Sequence, residues 1–174
     1  IDFFRKIIIK NKISGFKINT DWIAYHIKRN VWVSEKFISI FGNKRNFNEN
    51  ILDHHKNIAA ALQLRLEEIV LSKLRMLKKK YKLNYLCIAG GVGLNCSLNG
   101  KIMKSKIFKE IFVQPASGDS GLVIGALYLA IQNNYKKKIK IKKRYNHYLG
   151  SSFSNNEIEY CLKNYSLVKR HIKE

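Results

Sequence analysis

The stretch Cys87-Ile-Ala-Gly-Gly-Val-Gly-Leu-Asn95 and, further along, Gln114-Pro-Ala-Ser-Gly-Asp-Ser-Gly121 decide the fold of this chain. In each stretch an apolar strand runs into a turn rich in glycine, and a helix follows. Glycine lets the backbone approach a ligand closely, and the N–H groups at a helix start are free to bind phosphate. The two stretches therefore predict a site for a phosphorylated ligand.

The residues around these turns alternate between helical and strand patterns. Apolar side chains recur at three- and four-residue spacing over 53–80, which predicts a long helix with Asp53 as its cap. Its expected apolar positions are Ile58, Leu62, Leu66, Ile69, Val70 and Leu77. A buried strand over 83–89, a helix over 95–106, a strand over 110–114 and a helix over 120–133 are expected next. This order predicts an α/β nucleotide-handling half-domain.

The first turn leaves two interpretations open. Gly90 and Gly91 either make a tight turn only or pack their backbone against an adenosine or a phosphate. No Gly-Lys-Ser/Thr follows, and the G-x-G-x-x-G fingerprint is absent, so the turn is neither a P-loop nor a dinucleotide motif. Asn95, at the start of the next helix, either caps that helix or bonds the ligand.

The second turn carries a carboxylate between glycines. Asp119 is a good helix N-cap on chemistry alone, and the alternative is a metal ligand or a carboxylate beside a phosphate. Gly118 and Gly121 clear space around it, and Ser117 and Ser120 offer hydrogen bonds to the same ligand. The turn therefore predicts either a cap or a cation site.

Composition restricts the class of protein. The chain has 174 residues, 46% of them hydrophobic, and a formal net charge of +21. Such a charge can indicate binding to nucleic acid or to an anionic membrane surface. Because Lys, Ile and Asn are frequent throughout the chain, the favoured explanation is its general composition together with an anionic substrate. Nucleic acid is the less favoured partner. The basic run over 135–144 is interpreted as a linker.

Cysteine and histidine spacing points to no metal or thiol chemistry. Cys87, Cys96 and Cys161 form no CxxC pair, so a reducing, cytoplasmic setting is expected, with Cys87 as a core residue. The pair His54-His55 has side chains about 100° apart on a helix, which rarely ligate one ion. No apolar run reaches the length of a membrane span, and no Ser/His/Asp constellation can be assembled.

Taken together, the motifs resemble those of the NodU/CmcH-type carbamoyltransferases. The matching segments are Ala89-Gly-Gly-Val-Gly-Leu-Asn-Cys96, Asn99-Gly-Lys-Ile102, Phe112–Gly121, Leu149-Gly-Ser-Ser-Phe-Ser154 and Ile58-Ala-Ala-Ala-Leu-Gln63. Gly93 stands where the family has alanine, and Ser151 where it has proline. The family's His-x-x-x-His metal ligands have no counterpart in this chain.

The resemblance implies a fold and a division of the chain. Residues 1–144 would be the C-terminal half of an actin/Hsp70/sugar-kinase-like (ASKHA) transferase domain, with a mixed sheet flanked by helices. Residues 145–174 would begin a YrdC-like C-terminal domain. The chain would therefore be a fragment whose missing parts lie in a longer parent protein, and it would be catalytically incomplete by itself.

The resemblance also implies an activity. A carbamoyl group from carbamoyl phosphate would pass through an ATP-derived carbamoyl-adenylate to a hydroxyl of a small sugar-containing acceptor. Gly90, Gly91, Asn95, Gly118 and Ser120 would bind the nucleotide. Asp119 would help to hold a divalent metal, usually iron, beside the phosphates. No catalytic base is assigned.

Two rivals remain. One is a threonylcarbamoyl transferase acting on tRNA, which would use the basic surface, although the motif at Leu149–Ser154 argues against it. The other is a non-catalytic basic module that binds nucleic acid independently of Asp119 and Gly91.

Overall fold

The computed structural model of the chain describes residues 1–12, 15–135 and 150–164. The helices in this part are α1 (Asp2–Ile7), α2 (Glu35–Phe41), α3 (Asp53–Tyr81), α4 (Cys96–Lys104), α5 (Leu122–Tyr135) and α6 (Asn155–Asn164). The strands are β1 (Ile8–Asn11), β2 (Gly15–Ile18), β3 (Tyr85–Ile88) and β4 (Glu110–Val113). Short 3₁₀ turns lie at Thr20–Trp22, Gly91–Leu94 and Asp119–Gly121. The chain divides into two compact units, residues 1–126 and 127–174.

Helix α3 is the longest element of the described chain, at 29 residues, and it confirms the helix predicted over 53–80. It ends at Lys82, which takes the left-handed conformation with φ 57°, a common way to end a helix. The predicted cap is wrong. Leu52 is the N-cap, and its N–H donates to Nδ1 of His55 at 3.1 Å. Asp53 instead pairs with Lys56 in the first turn.

Two hydrophobic clusters lie along α3. The first joins the beginning of α3 to α1, α2 and the Thr20–Trp22 turn, and its buried residues are Phe4, Ile7 and Trp22. The second joins the remainder of α3 to α4, β3 and β4, and its buried residues are Leu74, Leu98, Ile102 and Phe108. The second cluster includes Ile88, near the end of β3, and Leu98 of α4, so it is the part of the core that borders the first glycine turn.

The apolar stripe predicted for α3 is correct except at one position. Ile69 is buried, and Ile58, Leu66, Val70 and Leu77 pack against the two clusters. Leu62, however, is 46% exposed. Arg65 and Glu67 are each only 3% exposed, because each has a polar partner on a neighbouring element.

Among the described residues, the strands form two separate two-stranded sheets. Strands β1 and β2 are antiparallel, with Ile8 opposite Ile18. Strands β3 and β4 are parallel, with Tyr85 opposite Glu110 and Ile88 opposite Val113. Parallel neighbours need a crossover connection, and α4 supplies it. The β3–α4–β4 unit therefore places the ends of both strands at one edge.

The prediction of a buried strand before the first glycine turn is wrong. In β3, Leu86 and Ile88 are half-buried and pack against the α3–α4 cluster, whereas Tyr85 and Cys87 are exposed. Successive side chains of a strand point to opposite faces, and only one face of this sheet is covered by described residues. Cys87 is therefore not a core residue.

The α/β class is confirmed, since helices pack on small sheets in the described chain. The actin-like half-domain and the division at residue 144 stay predictions, and the basic linker over 136–144 lies outside the described residues.

In α6, the Ser154 and Glu157 side chains each bond the other residue's backbone N–H, at 3.3 and 2.7 Å, which forms a capping box.

Candidate functional site

The two glycine turns meet at the carboxyl ends of β3 and β4. Because these strands are parallel and adjacent, the turns that follow them leave the sheet side by side. The Gly90 N–H donates to the Ser117 carbonyl at 2.7 Å, and the Gln114 N–H donates to the Ile88 carbonyl at 3.1 Å. This edge of a parallel sheet is where α/β proteins generally bind ligands.

The first turn is open where it faces away from the sheet. Gly90 has φ +97°, a conformation that L side chains rarely adopt. A Cβ built on Gly90 or on Gly91 meets no atom within 4 Å, and both residues are exposed. The backbone here is therefore accessible from solvent.

Other glycines in the two turns are needed for packing. A Cβ on Gly93 would lie 2.9 Å from the Cβ of Ser117, and one on Gly121 would lie 2.0 Å from the Ala116 carbonyl oxygen. Real Cβ atoms essentially never approach so closely. Gly93 therefore lets the first turn fit against the second, and Gly121 lets the second turn fold back on its own backbone directly before α5.

Asp119 begins the Asp119–Gly121 turn, directly before α5. The N-cap of this turn is Gly118, and no side chain caps it, so the interpretation of Asp119 as the cap is wrong. Asp119 and Ser120 are exposed. Within the described chain, the Asp119 carboxylate has no recorded hydrogen bond or ion pair, which leaves it able to bind a cation.

Asn95 connects the first turn to α4 and does cap that helix. Its Oδ1 accepts from the Leu98 N–H at 2.9 Å. Its Nδ2 donates to Oε1 of Gln63, on α3, at 2.8 Å. The cap interpretation is confirmed, and ligand binding by Asn95 stays a prediction.

Three polar side chains next to the first turn, those of Gln63, Glu67 and Lys101, are not predicted by the sequence motifs. Gln63 donates to Oε1 of Glu67 at 2.8 Å, and the other carboxylate oxygen of Glu67 pairs with the Lys101 ammonium. Burial alone would raise the pKa of the Glu67 carboxyl, but the hydrogen bonds from Lys101 and Gln63 outweigh it and lower that pKa below its ordinary value. The available signal was the i, i+4 spacing of two polar residues on a largely apolar helix.

In the sequence on either side of the first turn, all charged side chains are basic. Residues 69–109 include lysines and an arginine but no aspartate or glutamate. This segment runs from α3 through the glycine turn and α4 to the start of β4. Such a surrounding favours an anionic ligand such as a nucleotide phosphate.

The His54–His55 pair shows no metal-binding arrangement. The two rings lie 3.8 Å apart at their centroids, and Nδ1 of His55 is occupied by the Leu52 N–H. Burial, followed by the nearby charges of His54 and Arg45, lowers the pKa of His55. In the part of the chain that is described, no three His, Cys, Asp or Glu side chains are placed to hold a metal together.

Comparison with known proteins identifies the class of this α/β unit. The carbamoyltransferase N-terminus family matches residues 4–128. The chain is 33% identical over 169 residues to the uncharacterized protein sll1178 of Synechocystis sp., covering 94% of this chain and 27% of that protein. It is 38% identical over 112 residues to the nodulation protein NolO of Bradyrhizobium diazoefficiens, covering 64% of this chain and 18% of that protein.

A shorter similarity joins the chain to enzymes that act on tRNA. It is 37% identical over 73 residues to the tRNA N6-adenosine threonylcarbamoyltransferase of Ureaplasma parvum, covering 42% of this chain and 23% of that enzyme. The chain thus spans about a quarter or less of the length of the relatives it matches.

The described residues therefore form an α/β unit in which two glycine-rich turns meet at one edge of a parallel sheet. The chain belongs to the carbamoyltransferase N-terminus family, and the resemblance to the NodU-type carbamoyltransferases is confirmed. No described helix is both long and apolar enough to cross a membrane.

Proposed function

We propose that this chain supplies the nucleotide-binding turns of an O-carbamoyltransferase. The observation that carries the proposal is the contact between the two glycine turns at one edge of the β3–β4 sheet, with open space before Gly90 and Gly91. Family membership supplies the reaction class. The ligand would be the adenylate portion of ATP or of carbamoyl-adenylate, with its phosphates at the turns.

The proposed reaction proceeds by acyl transfer. Carbamoyl phosphate, ATP and water would provide a carbamoyl-adenylate with release of phosphate and pyrophosphate, and a hydroxyl oxygen of a sugar-containing acceptor would attack its carbamoyl carbon. A C–O bond forms to the acceptor, the bond from the carbamoyl carbon to the phosphate oxygen breaks, and AMP leaves. The hydroxyl proton passes to a base that is not assigned among the residues of this chain.

Asp119 fits a cation-binding role, and iron is the metal we propose. Its carboxylate is exposed and free of recorded partners, and carboxylate oxygen is a good ligand for a divalent cation. It would supply one ligand, and the others would come from outside the described residues. When bound, the metal would neutralise phosphate charge beside the carbamoyl group.

Calorimetric titration with ATP tests this proposal. We expect ATP to bind to the chain, and about 10-fold more tightly with Mg²⁺ or Fe²⁺ present, since a cation held by the Asp119 carboxylate would offset the phosphate charge. The Asp119→Asn variant should lose this metal dependence. Gly91→Val should weaken ATP binding with and without metal, because its side chain would fill the open space before the turn.

Asp53→Asn is the matched control, because Asp53 is also an exposed aspartate in the first turn of a helix. It should bind ATP and metal as the unmodified chain does. Absence of ATP binding by the unmodified chain, or metal dependence that survives Asp119→Asn, would contradict the proposal.

The tRNA-directed alternative rests on the 73-residue similarity to the threonylcarbamoyltransferase and on the excess of basic residues. The similarity to the nodulation protein NolO covers more of the chain, which favours the NodU-type branch and with it the small-molecule acceptor that the resemblance implies. Salt-sensitive binding of tRNA with a nanomolar dissociation constant would favour the alternative.

A further inference from the structure

A chain of hydrogen bonds between polar side chains joins α3 and α4 beneath the first glycine turn, and the backbone of α4 completes it into a ring. Asn95 and Lys101 lie on α4, and Gln63 and Glu67 lie one turn apart on α3. We refer to these four residues as the amide–carboxylate ring. It connects the two helices at two points, because Asn95 contacts Gln63 and Lys101 contacts Glu67.

The ring fixes which way each amide faces. Oδ1 of Asn95 must face the Leu98 N–H that it caps, so Nδ2 faces Gln63. Oε1 of Gln63 accepts that bond, and its Nε2 therefore faces Glu67, with a longer contact of 3.2 Å to Oδ1 of Asn95. Glu67 accepts from Gln63 and from Lys101 and can only accept while ionised.

One donor of the ring is left over at the turn. The Asn95 amide has two N–H groups, and only the bond to Gln63 is recorded for it within the described residues. Asn95 directly follows the Gly91–Leu94 turn and is half-buried. A second contact steadies the same turn, because Nδ2 of Asn99 donates to the Gly93 carbonyl at 2.7 Å.

From this arrangement we infer that Gln63 and Glu67 are positioning residues for nucleotide binding, acting through Asn95. They hold its carboxamide so that the remaining N–H is presented to the bound nucleotide. The inference rests on the proposed function. It assigns to two residues of α3 an effect on nucleotide affinity although neither belongs to the glycine turns.

The test compares dissociation constants for ATP in a set of variants. Gln63→Glu places a second carboxylate against Glu67 and should weaken ATP binding about 5- to 10-fold, as expected for a misplaced donor to a charged ligand. Adding Glu67→Gln restores one amide and one carboxylate to the ring. The carboxylate is then at position 63 and the amide at position 67, so donor and acceptor are exchanged. The double variant should bind ATP within about 2-fold of the unmodified chain.

Dependence on Asn95 separates positioning from a structural role. Asn95→Ala should itself weaken ATP binding, and in the Asn95→Ala background Gln63→Glu should have no further effect. Gln63→Met, which removes the hydrogen bonds without adding charge, serves where Gln63→Glu fails to fold, as judged by circular dichroism. Gln132→Glu, at an exposed position of α5, is the control for added charge.

Each outcome has one meaning. If the unmodified chain binds no ATP, the proposed function fails and this inference fails with it. If it binds ATP and the folded Gln63 variants bind equally well, the positioning role is overturned while the proposed function stands. Weakening that requires Asn95 and is reversed by Glu67→Gln supports the inference.

Discussion

Single residues of the two turns fit closely against each other. Gly93 is buried, and its Cα faces the side chain of Ser117, whose hydroxyl donates to the Gln114 carbonyl at 2.6 Å. The backbone of Gly93 does not have a positive φ. Glycine is therefore needed here for space and not for conformation.

Replacement of Gly93 by alanine should destabilise the fold by about 1–3 kcal/mol, because the new Cβ must displace Ser117. Urea unfolding of the variant would measure this loss. Adding Ser117→Gly removes the opposing Cβ and should recover part of the stability. Gly100→Ala is the matched control, since Gly100 lies in α4 with nothing within 4 Å of its built Cβ.

The control should stabilise the protein by about 0.5–1 kcal/mol, as alanine does in a helix. Equal effects at Gly93 and Gly100 would show that the turns are not packed as described.

Among the elements, α1 is joined to α3 through one carboxylate. Glu68 of α3 accepts from Arg5 at 2.8 Å and from Arg65 at 2.7 Å. These hydrogen bonds, the one from Arg5 first, lower the pKa of Glu68 from 4.5 to about 2. The Glu68 side chain is 26% exposed, so water screens the pairs only in part.

This shift predicts a loss of stability in acid. The folded protein binds the Glu68 proton less readily than the unfolded chain, so the contribution is complete above about pH 4.5 and declines as the pH falls towards 2. Its size is on the order of 2–3 kcal/mol. Urea unfolding measures the free energy of unfolding at pH 6 and at pH 3. The decrease in this free energy from pH 6 to pH 3 should be smaller for Glu68→Gln than for the unmodified protein.

Glu110→Gln provides the comparison, because Glu110 is exposed and has no recorded ion pair within the described residues. The Glu110→Gln variant should show the same decrease in unfolding free energy from pH 6 to pH 3 as the unmodified protein. If Glu68→Gln also shows the same decrease in unfolding free energy as the unmodified protein, the Glu68 carboxylate does not join the two helices in solution.

Across the whole molecule, positive charge is in large excess, with 33 lysines and arginines against 12 acidic residues. Such a charge raises the local concentration of anions and weakens in effect as salt is added. It adds to the affinity for any phosphate ligand without selecting among ligands.

ATP affinity should therefore fall about 3- to 10-fold between 50 and 300 mM KCl, whereas adenosine affinity should change less than about 2-fold. Adenosine carries no phosphate, so it isolates the contribution of charge. Titrations of both ligands at several salt concentrations would measure this. A dissociation constant for ATP that does not depend on salt would argue against phosphate binding at the basic surface.

Much of the site was predictable because it depends on local sequence. Glycines after an apolar run predicted the turns at Gly90 and Gly118, and helical spacing predicted the extent of α3. The cap at Asn95 was one of two interpretations. The prediction of Cys87 as a core residue failed because a run of apolar residues does not say which face of a strand is covered.

By itself, then, the sequence determined the α/β order, the two turns and the family. Only the tertiary structure decided that Gly90 contacts Ser117, that Asn95 meets Gln63 from 32 residues away, and that Arg65 is buried against the Ile8 carbonyl. The physical reason is the separation along the chain of the residues that determine each feature. Turns, caps and helical periods depend on a few neighbouring residues, whereas burial of a polar group depends on a partner that another element brings to it.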